Sequence, residues 1–362
     1  MEFTLAVPNL ETYSPQSGIG RVLSSLRAGW GERVRVVGAA YRSLPLPLLR
    51  TRPIGVRLEQ PADLVLLPQL TGAEALRDTG GLPGAVIVHD IGVVDFPGDR
   101  GTLGWWGHKS VEASFYGLRW ASRVIAVSEF TRRRLLRHLP QLEGRVEVVL
   151  NGVDPAFLEP GPTPEQARER LSEYLGRELK GPLVLYVGTE LPRKNVGLLL
   201  RAFARARQDF PGAVLLKVGG AGGPRWREQT QAVLRELALR EGQDVLFLQN
   251  VDDALLRLAY CAADAVALPS LYEGFGLPAL EALACGTQVL VTDCAALPEV
   301  VGKVGVVVEP RLEAFAGALG RLLATPPTQE WRQAARDHAR RLTWPSRAEA
   351  YLDIIRRMAG CA

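Results

Sequence analysis

Apolar runs, each long enough for one strand, alternate with stretches of helical spacing along almost the whole chain. In the first half they are "FTLAVP", "VRVVGAA", "ADLVLLP", "AVIVHD", "VIAVS" and "VEVVLN". In the second they are "LVLYVG", "VLLKVG", "VLFLQN", "AVALPS", "QVLVTD" and "GVVVEP". Val, Leu and Ile follow one another in these runs without the polar alternation of a half-exposed strand. Such strands are covered on both faces, which implies parallel sheets. Helices between parallel strands imply right-handed βαβ crossovers. Six strands and then six more predict an α/β chain with two Rossmann-like, doubly wound parallel sheets. Its 362 residues also exceed what one hydrophobic core usually serves.

The pattern breaks at "NGVDPAFLEPGPTPEQ", residues 151–166, where four prolines and two glycines interrupt it. This predicts a first domain over 1–160 and a second over 161–343, with helical segments closing the chain. The proportions of hydrophobic (47%) and charged (23%) residues are those of a soluble globular protein. A net charge of +4 and a pI of about 9.0 suit a small anionic partner such as a nucleotide, a phospholipid or a polysaccharide intermediate, and call for no nucleic acid. Cys261, Cys285, Cys294 and Cys361 form no Cys-x-x-Cys pair and have no histidine cluster beside them. A disulfide framework or zinc site is not expected, and a reducing cytoplasm fits. The N-terminal residues do not read as a signal peptide, and no apolar run is long enough to span a bilayer.

In an open parallel sheet ligands bind beyond the carboxyl ends of the strands. Two such sheets facing each other would form a cleft, so the polar residues at strand ends carry the information. "LYVGTELPRKN" places Arg193 and Lys194 after a strand, with Asn195 positioned to cap the next helix. Two cations beside a helix N-terminus suit a diphosphate, although a solvated loop carries the same residues. "PSLYEGFGLPALEALACG" puts Glu273 in a glycine-rich turn and Glu281 in the first turn of the helix that follows. Two carboxylates beside close-approaching backbone suit a sugar with several hydroxyls. The plainer account of Glu281 is that it complements the helix dipole. "VIVHDIG" ends a strand with His89 and Asp90, a pair that can position a substrate or simply be satisfied in the structure. "SPQSGIGRV" opens a helix with Gly18 and Gly20 but lacks the third glycine of a dinucleotide fingerprint, and the next strand ends without its acidic residue.

With these residues in order, the chain resembles the retaining nucleotide-sugar glycosyltransferases of the GT-B fold, family 4. The resemblance rests on "SGIGRV", "VHD", "ASRVIAVSEFTRR", "VVLNGVD", "YVGTELPRKN", "LPSLYEGFGLPALEALACGTQVLVTD" and "LPEVVG", which cover nearly the whole chain. Its most specific element is the pair of glutamates separated by seven residues, here Glu273 and Glu281. The resemblance implies a catalytic group of Glu273, His89, Arg193 and Lys194. Glu273 and His89 would contact the donor sugar, and Arg193 and Lys194 would hold the diphosphate as it leaves. It further implies that Gly274, Phe275, Gly276 and Leu277 bind sugar and phosphate through backbone N–H groups. Glu281 would hold the ribose, Asn250 and Val251 the base, and Gly18 and Gly20 would approach the diphosphate. The helix 344–362 would cross back to the first domain. No cofactor or metal is expected, since no Asp-x-Asp stands in the chain and preorganised cations and N–H dipoles can stabilise the leaving group.

The function this implies is transfer of a hexosyl group, mannose first, from a nucleoside-diphosphate sugar to a glycan, lipid-linked or small-molecule acceptor, with retention. A nucleotide-sugar epimerase or a phosphorylase of the same fold, a non-catalytic binding protein, and an NAD-dependent oxidoreductase are the competing readings. Basic "SEFTRRRLLRHL" and Trp105 and Trp106 suit peripheral contact with the inner face of a membrane, and equally a solvated helix and a packed aromatic pair. "YRSLPLPLLRTR" and "DFPGDRGTLGWWG" are the expected acceptor loops by position.

Overall fold

The structure, a computed structural model, describes residues 2–13, 18–46, 49–96 and 104–360. In chain order its elements are β1 (Phe3–Pro8), α1 (Gly18–Trp30), β2 (Val34–Leu46), β3 (Leu49–Leu58), β4 (Leu64–Leu67), β5 (Gly84–Val88), α2 (Gly92–Asp95), α3 (Gly104–Gly117), β6 (Arg123–Ala126), α4 (Glu129–His138) and β7 (Val146–Val148). There follow α5 (Pro164–Leu175), β8 (Leu183–Val187), α6 (Val196–Asp209), β9 (Val214–Val218), α7 (Pro224–Glu236), β10 (Val245–Leu248), α8 (Asp253–Ala262) and β11 (Ala265–Leu268). The last are α9 (Leu277–Cys285), β12 (Gln288–Thr292), α10 (Leu297–Val301), β13 (Val306–Val308), α11 (Leu312–Ala324), α12 (Gln329–Arg340) and α13 (Trp344–Met358). The chain divides into two compact units, Met1–Gly152 with Leu342–Ala362, and Val153–Arg341.

The first unit holds a seven-stranded sheet in the order β3-β2-β1-β4-β5-β6-β7. Every pairing is parallel except β2 with β3. All six apolar runs of the first half are strands of this sheet. β3 is a seventh strand that the sequence pattern did not reveal. "YRSLPLPLLRTR", expected as an acceptor loop, lies largely in the β2–β3 hairpin, with residues 47–48 outside the described ones. Pro53 is tolerated because β3 is an edge strand, where a missing N–H breaks no ladder. The core sits under the parallel strands, where Val86, Val88, Val124 and Ala126 pack with Phe115, Leu118 and Leu135, all buried.

The chain returns to this unit at its end, and α13 packs along α1. Trp30 is fully buried and its indole N–H donates to the Ala348 carbonyl at 3.0 Å. The two helices approach closely at Gly29, where a Cβ would stand 2.5 Å from that of Ala348.

The second unit holds a six-stranded, all-parallel sheet in the order β10-β9-β8-β11-β12-β13. Numbered within the unit, that is 3-2-1-4-5-6, the doubly wound arrangement whose winding reverses between its first and fourth strands. Here the reversal lies between β8 and β11. The unit begins earlier than the expected boundary at 160/161. Phe157 is buried and packs edge-on to Tyr260, with ring centroids 6.0 Å apart, and Arg257 donates to the Glu159 carbonyl. These contacts tie residues 153–160 to α8. The first helix, α5, starts with a full capping box: Thr163 accepts from the Gln166 N–H, and the Gln166 side chain accepts from the Thr163 N–H.

Candidate active site

At the β8/β11 reversal two loops leave the carboxyl ends of adjacent strands, the position where an open α/β sheet binds its ligand. The backbone fastens the loops together. The Leu271 N–H donates to the Arg193 carbonyl at 2.7 Å, and the Asn195 side-chain amide donates to the Pro269 carbonyl at 3.2 Å. Asn195 therefore does not cap α6 as expected. It stands at the N-cap position in the left-handed region, φ +52°, and its side chain reaches the other loop instead.

The stapling brings three of the expected catalytic side chains together. Lys194 Nζ lies 2.5 Å from Glu273 Oε1, and Arg193 approaches Glu273 Oε2 at 3.9 Å. Ser270 Oγ, which the sequence reading missed, donates to Glu273 Oε1 at 2.8 Å. The three charged side chains are each less than one-fifth exposed, so their charges are poorly screened yet reachable. Two cations against one carboxylate leave a positive surplus at the mouth of the strands.

Glu273 leads into the turn Gly274-Phe275-Gly276 and then α9. Gly276 occupies the N-cap position at φ +112°, and a Cβ there would meet Leu297 Cδ2 at 2.8 Å. Glycine suits this path. At the start of α9 Pro278 has no N–H, and the Ala279 N–H donates to the Gly276 carbonyl at 2.9 Å. Phe275 is buried beneath it. Glu281 is the fifth residue of α9, not in its first turn as expected, so complementing the helix dipole does not account for it. It is 8% exposed, and Tyr260 donates a 2.7 Å hydrogen bond to its Oε2. Tyr260, from α8, carried no sequence signal.

Next to this site lies a charged cluster the sequence reading passed over. Glu190 follows β8, Lys217 sits within β9 and Arg227 lies in α7. Lys217 Nζ is 3.1 Å and Arg227 Nη2 is 2.8 Å from Glu190 Oε1. Lys217 also donates to the carbonyls of Gly219 and Gly220, the start of the glycine-rich loop after β9. Lys217 is 1% exposed, and burial pushes its pKa down while Glu190 opposes the shift. A visible signal existed: a lysine, one of five in the chain, inside the apolar run "VLLKVG".

Asn250 and Val251 follow β10 and line a cavity of about 590 Å³ beside α8 that includes none of Arg193, Lys194 or Glu273. In the first unit, His89 and Asp90 follow β5. His89 Nε2 shares a hydrogen bond of 2.9 Å with the Pro68 carbonyl, so this nitrogen carries the proton and Nδ1 is left as the acceptor. Burial lowers the pKa of His89 below its ordinary 6.5, keeping the ring neutral. Asp90 accepts from the Gly92 N–H at 2.9 Å. Gly18 and Gly20 open α1, while residues 14–17 of their motif lie outside the described ones.

The basic segment, which suits a membrane contact and a solvated helix equally, forms α4. Three of its basic side chains are engaged within the first unit, while Arg133 and Arg137 are exposed. Arg134 makes a two-pronged pair with Asp95 at 2.7 Å, joined by His138 at 2.6 Å, and Arg132 pairs with Glu129 and Glu143. Leu135 is buried and Leu136 packs on the core, so its leucines face inward. The side chains of Trp105 and Trp106 lie outside the described ones, as do residues 97–103 of the second acceptor loop. No described helix is long and apolar enough to cross a membrane.

Two family models match the chain. "Glycosyltransferase Family 4" covers residues 11–157 and "Glycosyl transferases group 1" covers residues 181–325. The second match contains the whole Arg193–Lys194–Glu273 group and Glu281. The chain belongs to glycosyltransferase family 4. Among its relatives is the alpha-maltose-1-phosphate synthase of Mycolicibacterium smegmatis, 31% identical over 270 residues that make up 70% of this chain and 66% of that protein. The O-antigen chain mannosyltransferase B of Escherichia coli is 31% identical over 217 residues, 59% of this chain and 54% of that one. The family 4 chain thus aligns with between about half and two thirds of the length of these curated relatives. Among solved structures, sucrose-phosphate synthase from Thermosynechococcus elongatus superposes with a TM-score of 0.77 at 21% identity, covering 99% of this chain and 100% of that one. HepE from Anabaena, solved in complex with UDP-glucose, gives 0.73 at 18% identity, covering 98% and 99%. With two parallel-sheet α/β units and these neighbours, the fold is GT-B.

Proposed function

We propose that this protein transfers a hexosyl group from a nucleoside-diphosphate sugar to a glycan, lipid-linked or small-molecule acceptor, with retention of configuration. The observation that carries the reading is the Arg193–Lys194–Glu273 group at the β8/β11 reversal. A diphosphate entering there would draw Lys194 and Arg193 toward its oxygens and leave Glu273 to accept from the sugar hydroxyls. As the sugar C1–O bond breaks, charge develops on the departing diphosphate, where the two cations and the backbone N–H groups of the glycine-rich turn into α9 would lower its energy. The acceptor hydroxyl attacks C1 from the face the phosphate leaves and passes its proton to the phosphate. This route asks for no metal. Glu281, fixed by Tyr260, is the expected ribose contact, and neutral His89 is suited to contact the donor sugar.

The mannosyltransferase among the relatives supports mannose as the first sugar, for which GDP-mannose is the donor to try first. UDP-hexose comes second, supported by the UDP-glucose complex of HepE. Cys261, Cys285 and Cys294 are free thiols, which fits a cytoplasmic setting. The test joins a thermal-shift screen of GDP, UDP, ADP, dTDP and NAD with transfer assays on donor sugars, with and without EDTA. One nucleoside diphosphate should raise Tm in proportion to its occupancy. Lys194→Ala and Glu273→Ala should each lower kcat about 10²-fold or more without lowering Tm by an equivalent amount. A shift with NAD alone, or full activity in both variants, would sink the reading. A strict divalent-metal requirement would sink its mechanism.

A further inference from the structure

The first unit carries a cavity of about 780 Å³, within the roughly 300–1,000 Å³ typical of small-molecule sites. Its wall is formed by β3, by the turn 73–78 between β4 and β5, and by the end of α3 with the turn after it. Neither Pro68 nor His89 lines it. Five large hydrophobic side chains are exposed among the described residues, and three of them, Ile54 (39%), Tyr116 (51%) and Trp120 (44%), line this one cavity. Apolar surface gathered in a concave site marks binding rather than chance exposure.

Two polar features narrow the ligand. Arg77 and Arg119 lie 5.7 and 5.2 Å from the centre of the Trp120 ring, close enough for their cations to be attracted to its face, and both line the cavity. Glu74 lines the cavity with only 9% of its surface exposed, and its Oε2 has no hydrogen-bond partner. A buried carboxylate oxygen without a donor is unfavourable, and a ligand hydroxyl that donates to it removes the cost. An anionic headgroup would meet that carboxylate with like charge, and a flat bilayer surface would not reach it. A pyranose has what the cavity lacks: apolar C–H faces for the aromatic rings and hydroxyls that both donate and accept.

We infer that the first unit holds a neutral-glycan subsite built on Tyr116, Trp120 and Glu74, separate from the strand-end groups. The choice of a saccharide rests on the glycosyl-transfer reading, in which such a site would grip an acceptor chain away from its reacting end. Saturation-transfer NMR on the full chain, with maltotriose and mannotriose as probes, reads it directly. At least one trisaccharide should bind, and Tyr116→Ala, Trp120→Ala and Glu74→Gln should each weaken that binding about ten-fold. Thermal shifts with GDP and UDP should be the same in all three variants as in the wild type. Tyr116 is exposed, so its variant tests the site without disturbing the core. The inference is overturned if neither sugar binds the wild type or if the variants bind as tightly. It is also overturned if phosphatidylglycerol vesicles, rather than sugars, are released by Tyr116→Ala. Sugar binding that maps to these residues without any nucleotide shift would keep the subsite and remove the donor reading.

Discussion

Lys194 and Glu273 neutralise one another across two loops that are far apart in sequence, and a ligand must compete with that pair. The geometry depends on Gly276, the N-cap of α9. In Gly276→Ala the new Cβ meets Leu297 and the backbone keeps a φ that L-residues avoid. We expect a loss of about 1–3 kcal/mol, read as a lower urea midpoint, and a weaker response to the nucleoside diphosphate. An unchanged midpoint would mean that the turn relaxes around the methyl group. Glycine at this position was legible, because "EGFGLP" needs a tight path into a helix with proline in its first turn. The partners of Glu273 and Glu281 were not all legible. Ser270 and Tyr260 are ordinary residues in ordinary contexts until the fold brings their hydroxyls within 2.8 and 2.7 Å of carboxylates.

The loop after β8, strand β9 and helix α7 each contribute one member of the Glu190–Lys217–Arg227 cluster, and the cluster holds the loop after β9 by its carbonyls. Replacing one partner of a buried charged group is far costlier than replacing the group together. Lys217→Met should therefore destabilise the second unit by about 3 kcal/mol, and adding Glu190→Gln to it should recover part of the loss. Urea denaturation of the wild type and both variants checks this. A double variant less stable than the single one would show that the charges are not coupled. In the first unit the corresponding device is the packing of α1 against α13. Trp30→Ala removes a fully buried indole and its bond to Ala348, and should cost about 3–5 kcal/mol. The loss should appear in hydrogen exchange of α1 and α13, while β8–β13 keep their protection.

Across the chain, the titrations of His89 and Asp244 each make stability depend on pH. His89 has a folded pKa below its ordinary 6.5, so the unfolded chain takes up a proton that the folded one resists. Stability should therefore fall as pH drops through about 6.5. Asp244 is held down to about 2, chiefly by Arg240 with help from Arg207. Its contribution is present above the ordinary carboxylate range and is lost as pH falls from about 4 toward 2. Urea midpoints between about pH 8 and pH 3 should show both declines, and His89→Asn should flatten the first. A first decline that survives in His89→Asn would assign it to other groups.

The two sheets, the crossovers between their strands and the strand-end position of Arg193, Lys194, Glu273 and His89 were all legible from local pattern. Continuous apolar runs, helical spacing and Gly and Pro punctuation act within a few residues of themselves, so a single sequence displays them. The antiparallel β3, the partner of Asn195, the hydrogen bond from Tyr260 to Glu281 and the buried Lys217 cluster depend on groups separated by up to tens of residues. The start of the second unit at Val153 was decided in the same way, by Phe157 packing onto Tyr260. No local pattern records which distant side chain fills a pocket or satisfies a buried charge. That is settled only when the sheets have formed and burial makes an unpaired polar group costly.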